Sequence, residues 1–130
     1  MTTFKFGNMT CSMSEVFYET RLSYGIMNIK PVVPYHVLVI PKRVTNRVSD
    51  LDYDELCDLM TSAQEIGSVL EKYTNSTAIT YIIHDGKDAG QTVPHVHIHI
   101  IPRKHGDCAI AEQLTAEEIT SRAEELSQLF

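Results

Sequence analysis

The run Pro94-His95-Val96-His97-Ile98-His99-Ile100-Ile101-Pro102 alternates imidazole and aliphatic side chains, and this alternation decides the reading of the fold. Side chains two apart on a β-strand share a face, so a strand over 95–102 sends His95, His97 and His99 one way and Val96, Ile98 and Ile100 the other. The aliphatic face is core. The imidazole face cannot also be core without an unusual number of buried partners, because each neutral ring carries one donor and one acceptor. Pro94 removes a backbone donor directly before the histidines and predicts an edge or a bulge at that point.

Working outward, Thr77 to His84 reads as a second strand. Lys5 to Phe6, Val16 to Thr20, Ser23 to Ile29 and His36 to Pro41 are further short runs of β-branched or aromatic residues bounded by turn formers. Two helices separate and follow the later strands. Asp52 with Glu55 forms a capping box, with Leu51 and Leu56 as its hydrophobic staple. From there Leu56, Leu59, Met60, Ala63, Ile66, Leu70 and Tyr73 recur at helical spacing to about Tyr73. Thr115 with Glu118, and Leu114 with Ile119, repeat the start signal for a helix ending near Leu129. Strands first, then a helix, two strands and a helix give an α+β domain with an antiparallel sheet of approximately five strands and two helices.

The 130 residues, with 43% hydrophobic content, support one domain over 1–130 and one core. No apolar run is long enough for a membrane span or a secretory signal, which implies a soluble protein of the cytoplasm or nucleus. Cys11, Cys57 and Cys108 are odd in number and widely spaced, so reduced structural thiols are expected. A formal charge of −6 repels nucleic acid in general. All 17 acidic residues nevertheless avoid two segments, Ile29 to Ser49 and Ala89 to Gly106. The first holds Lys30, Lys42, Arg43 and Arg47, and the second holds four of the six histidines with Arg103 and Lys104. A site drawn from both would favour a compact anion such as a phosphate.

Two chemistries suit the histidine face. Zinc is one, but His95 and His99 on an ideal strand stand about 13 Å apart at Cα, too far for three rings to close on one ion without distortion. A two-histidine site with a remote ligand, His36 or His84, stays open. The other chemistry makes the central His97 a nucleophile, neutral near pH 7 because its ordinary pKa is about 6.5, and oriented by a carbonyl that holds its second ring nitrogen.

The stretch Gly90-Gln91-Thr92-Val93-Pro94-His95-Val96-His97-Ile98-His99-Ile100-Ile101-Pro102-Arg103 resembles the histidine-triad (HIT) superfamily, whose signature is His-φ-His-φ-His-φ-φ with φ hydrophobic. Phe4 to Gly7, Asn28 to Pro34, His36 to Val39, the Asp50 to Tyr73 helix, Asp85-Gly86 and Ala89 to Gln91 are similar to the fragile-histidine-triad branch. The resemblance implies a nucleotide hydrolase in which His97 attacks the α-phosphorus of a dinucleoside polyphosphate such as diadenosine triphosphate. Water then hydrolyses the nucleotidyl-histidine and releases AMP. It further implies that His95 and His99 brace the nucleophile, that His99 and Gln91 contact phosphates, and that His36 is a fourth, more remote histidine. Asn28 would bind ribose, while Phe6, Cys11, Ile26 and Leu38 would wall the purine. No resident cofactor or metal is implied, with Mg²⁺ an optional companion of the substrate phosphates, and members of the family are usually homodimers.

Three departures from that branch stand out. His84 occupies a position where a glutamine close to the phosphates is common, which would place a titratable ring there. Pro94 directly precedes the triad. The loop 105–114 is short and lacks tyrosine. Alternatives carried forward are a nucleoside phosphoramidase using the same nucleophile, a nucleotide-binding signalling module with slow turnover, and a zinc-binding protein.

Overall fold

The computed structural model describes residues 2–105 and 113–130. Cys108 and most of the 105–114 loop therefore lie outside the described residues. The chain opens with a hairpin of β1 (Thr3–Phe6) and β2 (Met9–Ser12) turning at Gly7-Asn8. There follow β3 (Val16–Glu19), β4 (Ser23–Met27), β5 (Val37–Pro41), α1 (Tyr53–Tyr73), β6 (Ala78–Ile83), β7 (Ile98–Arg103) and α2 (Ala116–Ser127). β3 to β7 form one antiparallel five-stranded sheet in the order β3-β4-β5-β7-β6. The α+β architecture with two helices is the one read from the sequence. The hairpin strand β2 is an addition, since Met9-Thr10-Cys11-Ser12 carries no clear alternation of its own.

Both expected capping boxes form. Asp52 Oδ1 accepts from the Glu55 N–H at 2.9 Å, and Thr115 Oγ1 accepts from the Glu118 N–H at 3.1 Å. The apolar stripe of α1 is narrower than the periodicity suggests. Leu59, Ala63, Ile66 and Leu70 are buried, whereas Leu56, Met60 and Tyr73 are 39%, 48% and 43% exposed. The helix rests on the sheet along one row and leaves the flanking row outside.

The sheet has two packed faces. On one, Val37, Val39, Ile98 and Ile100 meet Leu59, Ile66 and Leu70 of α1 and Ile119, Ala123 and Leu126 of α2. On the other, Ile26, Leu38 and Ile40 meet Phe4 and Phe6 of the hairpin. Strand register places Ile26 opposite Leu38, Leu38 opposite His99, and His99 opposite Ile82, so His99 emerges on the hairpin side. Each large aliphatic side chain in these layers stabilises the fold by roughly 1.5–3 kcal/mol. Among the described residues no helix is long and apolar enough to cross a membrane.

Candidate active site

β7 begins only at Ile98. Of the histidines, His99 alone therefore obeys strand alternation, while His95 and His97 approach the strand in irregular chain. The break falls where Pro94 predicts one: the His95 N–H turns back to the Val93 carbonyl at 2.8 Å and the Val96 N–H bonds the Thr45 carbonyl at 2.8 Å. Val96, Ile98 and Ile100 are core as expected.

The expectation that the imidazoles stay out of the core is corrected. His95 is fully buried and His97 is 5% exposed. His95 is affordable inside because both ring nitrogens have partners: Nδ1 accepts from the Gly7 N–H at 2.9 Å, and Nε2 donates to the Pro41 carbonyl at 2.8 Å. This neutral tautomer bolts the hairpin to the end of β5. Gly7 sits at φ +60 in the hairpin turn, and a Cβ there would lie 2.8 Å from Val93 Cγ1, so both its conformation and its close approach require glycine. Gly7 is a site residue that the motif does not reveal, although a Gly-Asn pair between short strands is a turn signal.

The carbonyl that orients the central histidine belongs to His95 itself. His97 Nδ1 lies 2.8 Å from that oxygen, which can only accept, so Nδ1 carries the proton and Nε2 keeps its lone pair. The Phe6 ring stands edge-on to His97 with centroids 5.3 Å apart. Burial pushes the His97 pKa down, the His95 carbonyl opposes that shift, and nearby His84 adds to it.

A second chain of assignments fixes His99. The Val32 N–H donates to His36 Nδ1 at 3.1 Å, so neutral His36 carries its proton on Nε2 and donates it to His99 Nδ1 at 2.9 Å. His99 is then protonated on Nε2. Burial lowers His36 to about 4, with a contribution from the Arg103 cation, and burial with the neighbouring histidines lowers His99 to about 3. Both are neutral near pH 7. Among the described residues no buried side-chain nitrogen or oxygen lacks a partner, so the unbonded Nε2 atoms of His97 and His99 reach the surface. One presents a lone pair and the other a proton, with ring centroids 5.0 Å apart.

The other expected residues divide. Phe6, Ile26 and Leu38 are buried in one cluster with Cys11 against it, and burial with the nearby Glu15 carboxylate raises the Cys11 thiol. His84 packs edge-on to His99 at 5.5 Å. Asn28 stands beside His36 with its Oδ1 accepting from the Lys30 N–H at 3.0 Å, so it caps a turn as well as bordering the site. Gln91 is engaged elsewhere. Its Oε1 accepts from the Gly86 N–H at 2.7 Å, and its Nε2 donates to the carbonyls of Asn46 at 2.8 Å and Val93 at 2.9 Å, which holds the loop before the triad and leaves no amide hydrogen for a phosphate.

The basic segment is likewise corrected. Lys42 pairs with Glu19, Arg43 with the 5%-exposed Glu55, and Arg47 with Asp85, each carboxylate coming from outside the acid-free stretches. Arg43 holds Glu55 down at about 2. These cations tie strands to helix and loop rather than facing an anion. The three-histidine version of the zinc site and the version with His36 as remote ligand need ring nitrogens that His95 and His36 have already committed. Among the described residues, no group of three His, Cys, Asp or Glu side chains is gathered as a metal site.

A packed antiparallel sheet that ends in a carbonyl-tethered histidine, backed by two further histidines, is the architecture of a HIT domain. The family model described as "HIT domain" matches residues 10–106, and the chain belongs to that family. Within it, the chain is 48% identical over 141 aligned residues to the bis(5'-adenosyl)-triphosphatase of Dictyostelium discoideum, covering all of this chain and 95% of that protein. It is 47% identical over 117 residues to the asymmetrical bis(5'-nucleosyl)-tetraphosphatase of Schizosaccharomyces pombe, covering 90% of this chain and 64% of that one. The Plasmodium falciparum diadenosine triphosphate hydrolase, solved in complex with cyclomarin A, superposes with a TM-score of 0.90 at 34% identity over 98% of this chain and 84% of its own.

Proposed function

We propose that this chain hydrolyses dinucleoside polyphosphates such as diadenosine triphosphate by two displacements at the α-phosphorus. The observation that carries the reading is the tether on His97, which leaves Nε2 with a free lone pair at the surface of the site. The names of the relatives above support the same substrate class.

In the first displacement Nε2 of His97 forms a bond to phosphorus, the bond to the bridging oxygen breaks, and ADP departs with the electron pair. The imidazole becomes cationic as this happens, and the His95 carbonyl on Nδ1 stabilises that charge. The His99 Nε2–H donates to a non-bridging oxygen, where charge accumulates. Water then attacks phosphorus and gives up a proton to solvent, the P–N bond breaks with its electron pair returning to Nε2, and AMP leaves. A phosphate leaving group is a stable anion and needs no strong acid beside it. The Phe6, Cys11, Ile26 and Leu38 wall takes the purine, Asn28 the ribose, and His84 borders the phosphates. His95 and Gln91 act through the hairpin and the loop they hold. No resident cofactor is required, and Mg²⁺ is an optional companion of the substrate phosphates.

We place the working unit as a homodimer. β6 is an edge strand with Tyr81 and Ile83 exposed, and α1 beside it exposes Leu56 and Met60, an unpaired apolar border that a second copy would cover. Sedimentation of the wild type should give twice the chain mass, and Ile83→Lys should shift it to monomer; a monomeric wild type overturns this part.

The central test is product analysis on diadenosine triphosphate, diadenosine tetraphosphate and an adenosine phosphoramidate. Wild type should release AMP from the first two in the presence of a chelator and trap α-phosphate label on protein in acid-labile form, and His97→Asn should do neither. Cleavage of the phosphoramidate alone makes the chain a phosphoramidase. Tight binding without turnover makes it a signalling module, and loss of activity with chelated stoichiometric zinc makes it a zinc protein.

A further inference from the structure

The donor on His99 depends on a loop that is clamped from outside the matched domain. His36 ends the segment 28–36 between β4 and β5, and that segment supplies the Val32 N–H that fixes the ring. α2 lies beyond residue 106, where the family match stops. Four of its contacts converge on the loop and its support. Tyr35 Oη donates to Glu125 Oε2 at 2.8 Å, and Tyr73 Oη of α1 donates to the same oxygen. Arg122 Nη1 donates to the Pro34 carbonyl at 2.7 Å, and its guanidinium lies 5.9 Å from the centre of the Tyr35 ring. The Tyr35 and Tyr73 rings meet edge to face at 5.7 Å, closing the cluster.

Beside the loop lies a solvent-open, largely apolar pocket of about 270 Å³ lined by Val33, Pro34, Tyr35, Thr74, Ser76, Pro102 and Lys104, so this flank of the segment is not closely packed and the polar ties to α2 carry more of its positioning. Burial and the Glu125 carboxylate raise the Tyr35 phenol to about 12, which keeps it a donor throughout the neutral range.

We propose that Glu125 and Arg122 of α2 are positioning residues for the reaction: through Tyr35 and Pro34 they hold the loop so that the Val32 N–H keeps His36 donating to His99. Only the kinetic consequence rests on the hydrolase reading. If the loop shifts, the Val32 bond is lost and His36 is free to carry its proton on Nδ1, with Nε2 becoming an acceptor. The contact with His99 then survives only if His99 places its own proton on Nδ1. Its Nε2 is left with a lone pair aimed at an anionic phosphate, and a stabilising donor becomes a repulsive acceptor. The groups that face His36 are His99 and Arg103 from β7 and Asn28 from its own loop, whose amide nitrogen lies 3.4 Å from Nδ1 against 3.1 Å for the Val32 N–H, so Val32 is the closer donor to that nitrogen.

The test measures ¹⁵N ring shifts of His36 and His99 in the substrate-free protein, together with kcat and KM on diadenosine triphosphate. Glu125→Ala and Arg122→Ala should move His36 and His99 away from their single tautomers and lower kcat by about tenfold to a hundredfold with little change in KM. Glu125→Gln, which still accepts from both tyrosine hydroxyls, should restore most of both signals. Ala123→Gly, buried on the core face of the same helix, is the control for stability: it should lower the melting temperature without moving the tautomers. Unchanged ring shifts in Glu125→Ala overturn the proposal, as does an equal shift in Ala123→Gly. A wild type that cleaves no dinucleoside polyphosphate removes the hydrolase reading, while the ring shifts still decide the role of α2.

Discussion

His36 Nε2 lies 2.9 Å from His99 Nδ1, and the direction of that hydrogen bond is set by the backbone N–H of Val32, 3.1 Å from the far nitrogen of His36. Two neutral imidazoles thus work in series as a wire that ends in a proton on His99 Nε2. A positively charged His99 would serve a phosphate too, but burial and the neighbouring rings disfavour it. The site therefore offers the substrate one lone pair and one donor without any net charge of its own among these rings.

His99→Ala should lower kcat by about 10² to 10³, the usual loss when one preorganised donor to a transition-state oxygen is removed, with a smaller effect on KM. Steady-state kinetics on diadenosine triphosphate checks this. A loss below about tenfold would show that His99 is not the donor.

His95→Ala should act on the fold. It strips partners from the Gly7 N–H and the Pro41 carbonyl, each worth about 1–3 kcal/mol when left unsatisfied, and opens a cavity beneath the hairpin. Urea denaturation should register a loss of about 3 kcal/mol or more. A loss under about 1 kcal/mol would mean the hairpin is held by other contacts.

Stability should fall as the solution is acidified, in two windows that overlap below 4.5. His36 and His99 titrate at about 4 and about 3 in the fold against 6.5 for a free histidine, so between those limits the unfolded chain binds protons that the native state does not. Unfolding free energy therefore declines as pH drops below 6.5, and no slope from this source exists above it. Glu55, held at about 2 by Arg43, adds its loss only below its free value of 4.5. Denaturation midpoints across pH should show the upper window flattened in a His36→Gln, His99→Gln double variant; an unaltered slope there would contradict the assignment.

Among the described residues, no hydrogen bond fixes the tautomer of His84, and its charge is felt by both His97 and His99. His84→Ala should therefore lower kcat/KM on diadenosine triphosphate by about tenfold or more, measured by steady-state kinetics. An unchanged value would exclude His84 from the chemistry.

By itself the sequence determined the class of fold, the two capped helices and the aliphatic face of the last strand, because capping boxes and side-chain periods are local properties of the chain. It also singled out His97 as the candidate nucleophile, because the family signature places that histidine at the centre of the triad. What it could not determine are the protonation states. These depend on the Gly7 N–H, the Pro41 carbonyl and the Val32 N–H, backbone groups whose partners are remote in the chain or hidden in a turn. The same holds for the cations and for Gln91. A basic, acid-free segment reads as an anion site until folding brings Glu19, Glu55 and Asp85 against it, and an amide next to the triad reads as a phosphate ligand until Gly86, Asn46 and Val93 take its hydrogen bonds. Hydrogen bonds and ion pairs are short-ranged and directional, so which ones form is decided by tertiary proximity, and in this protein proximity places the proton on His99 and the lone pair on His97.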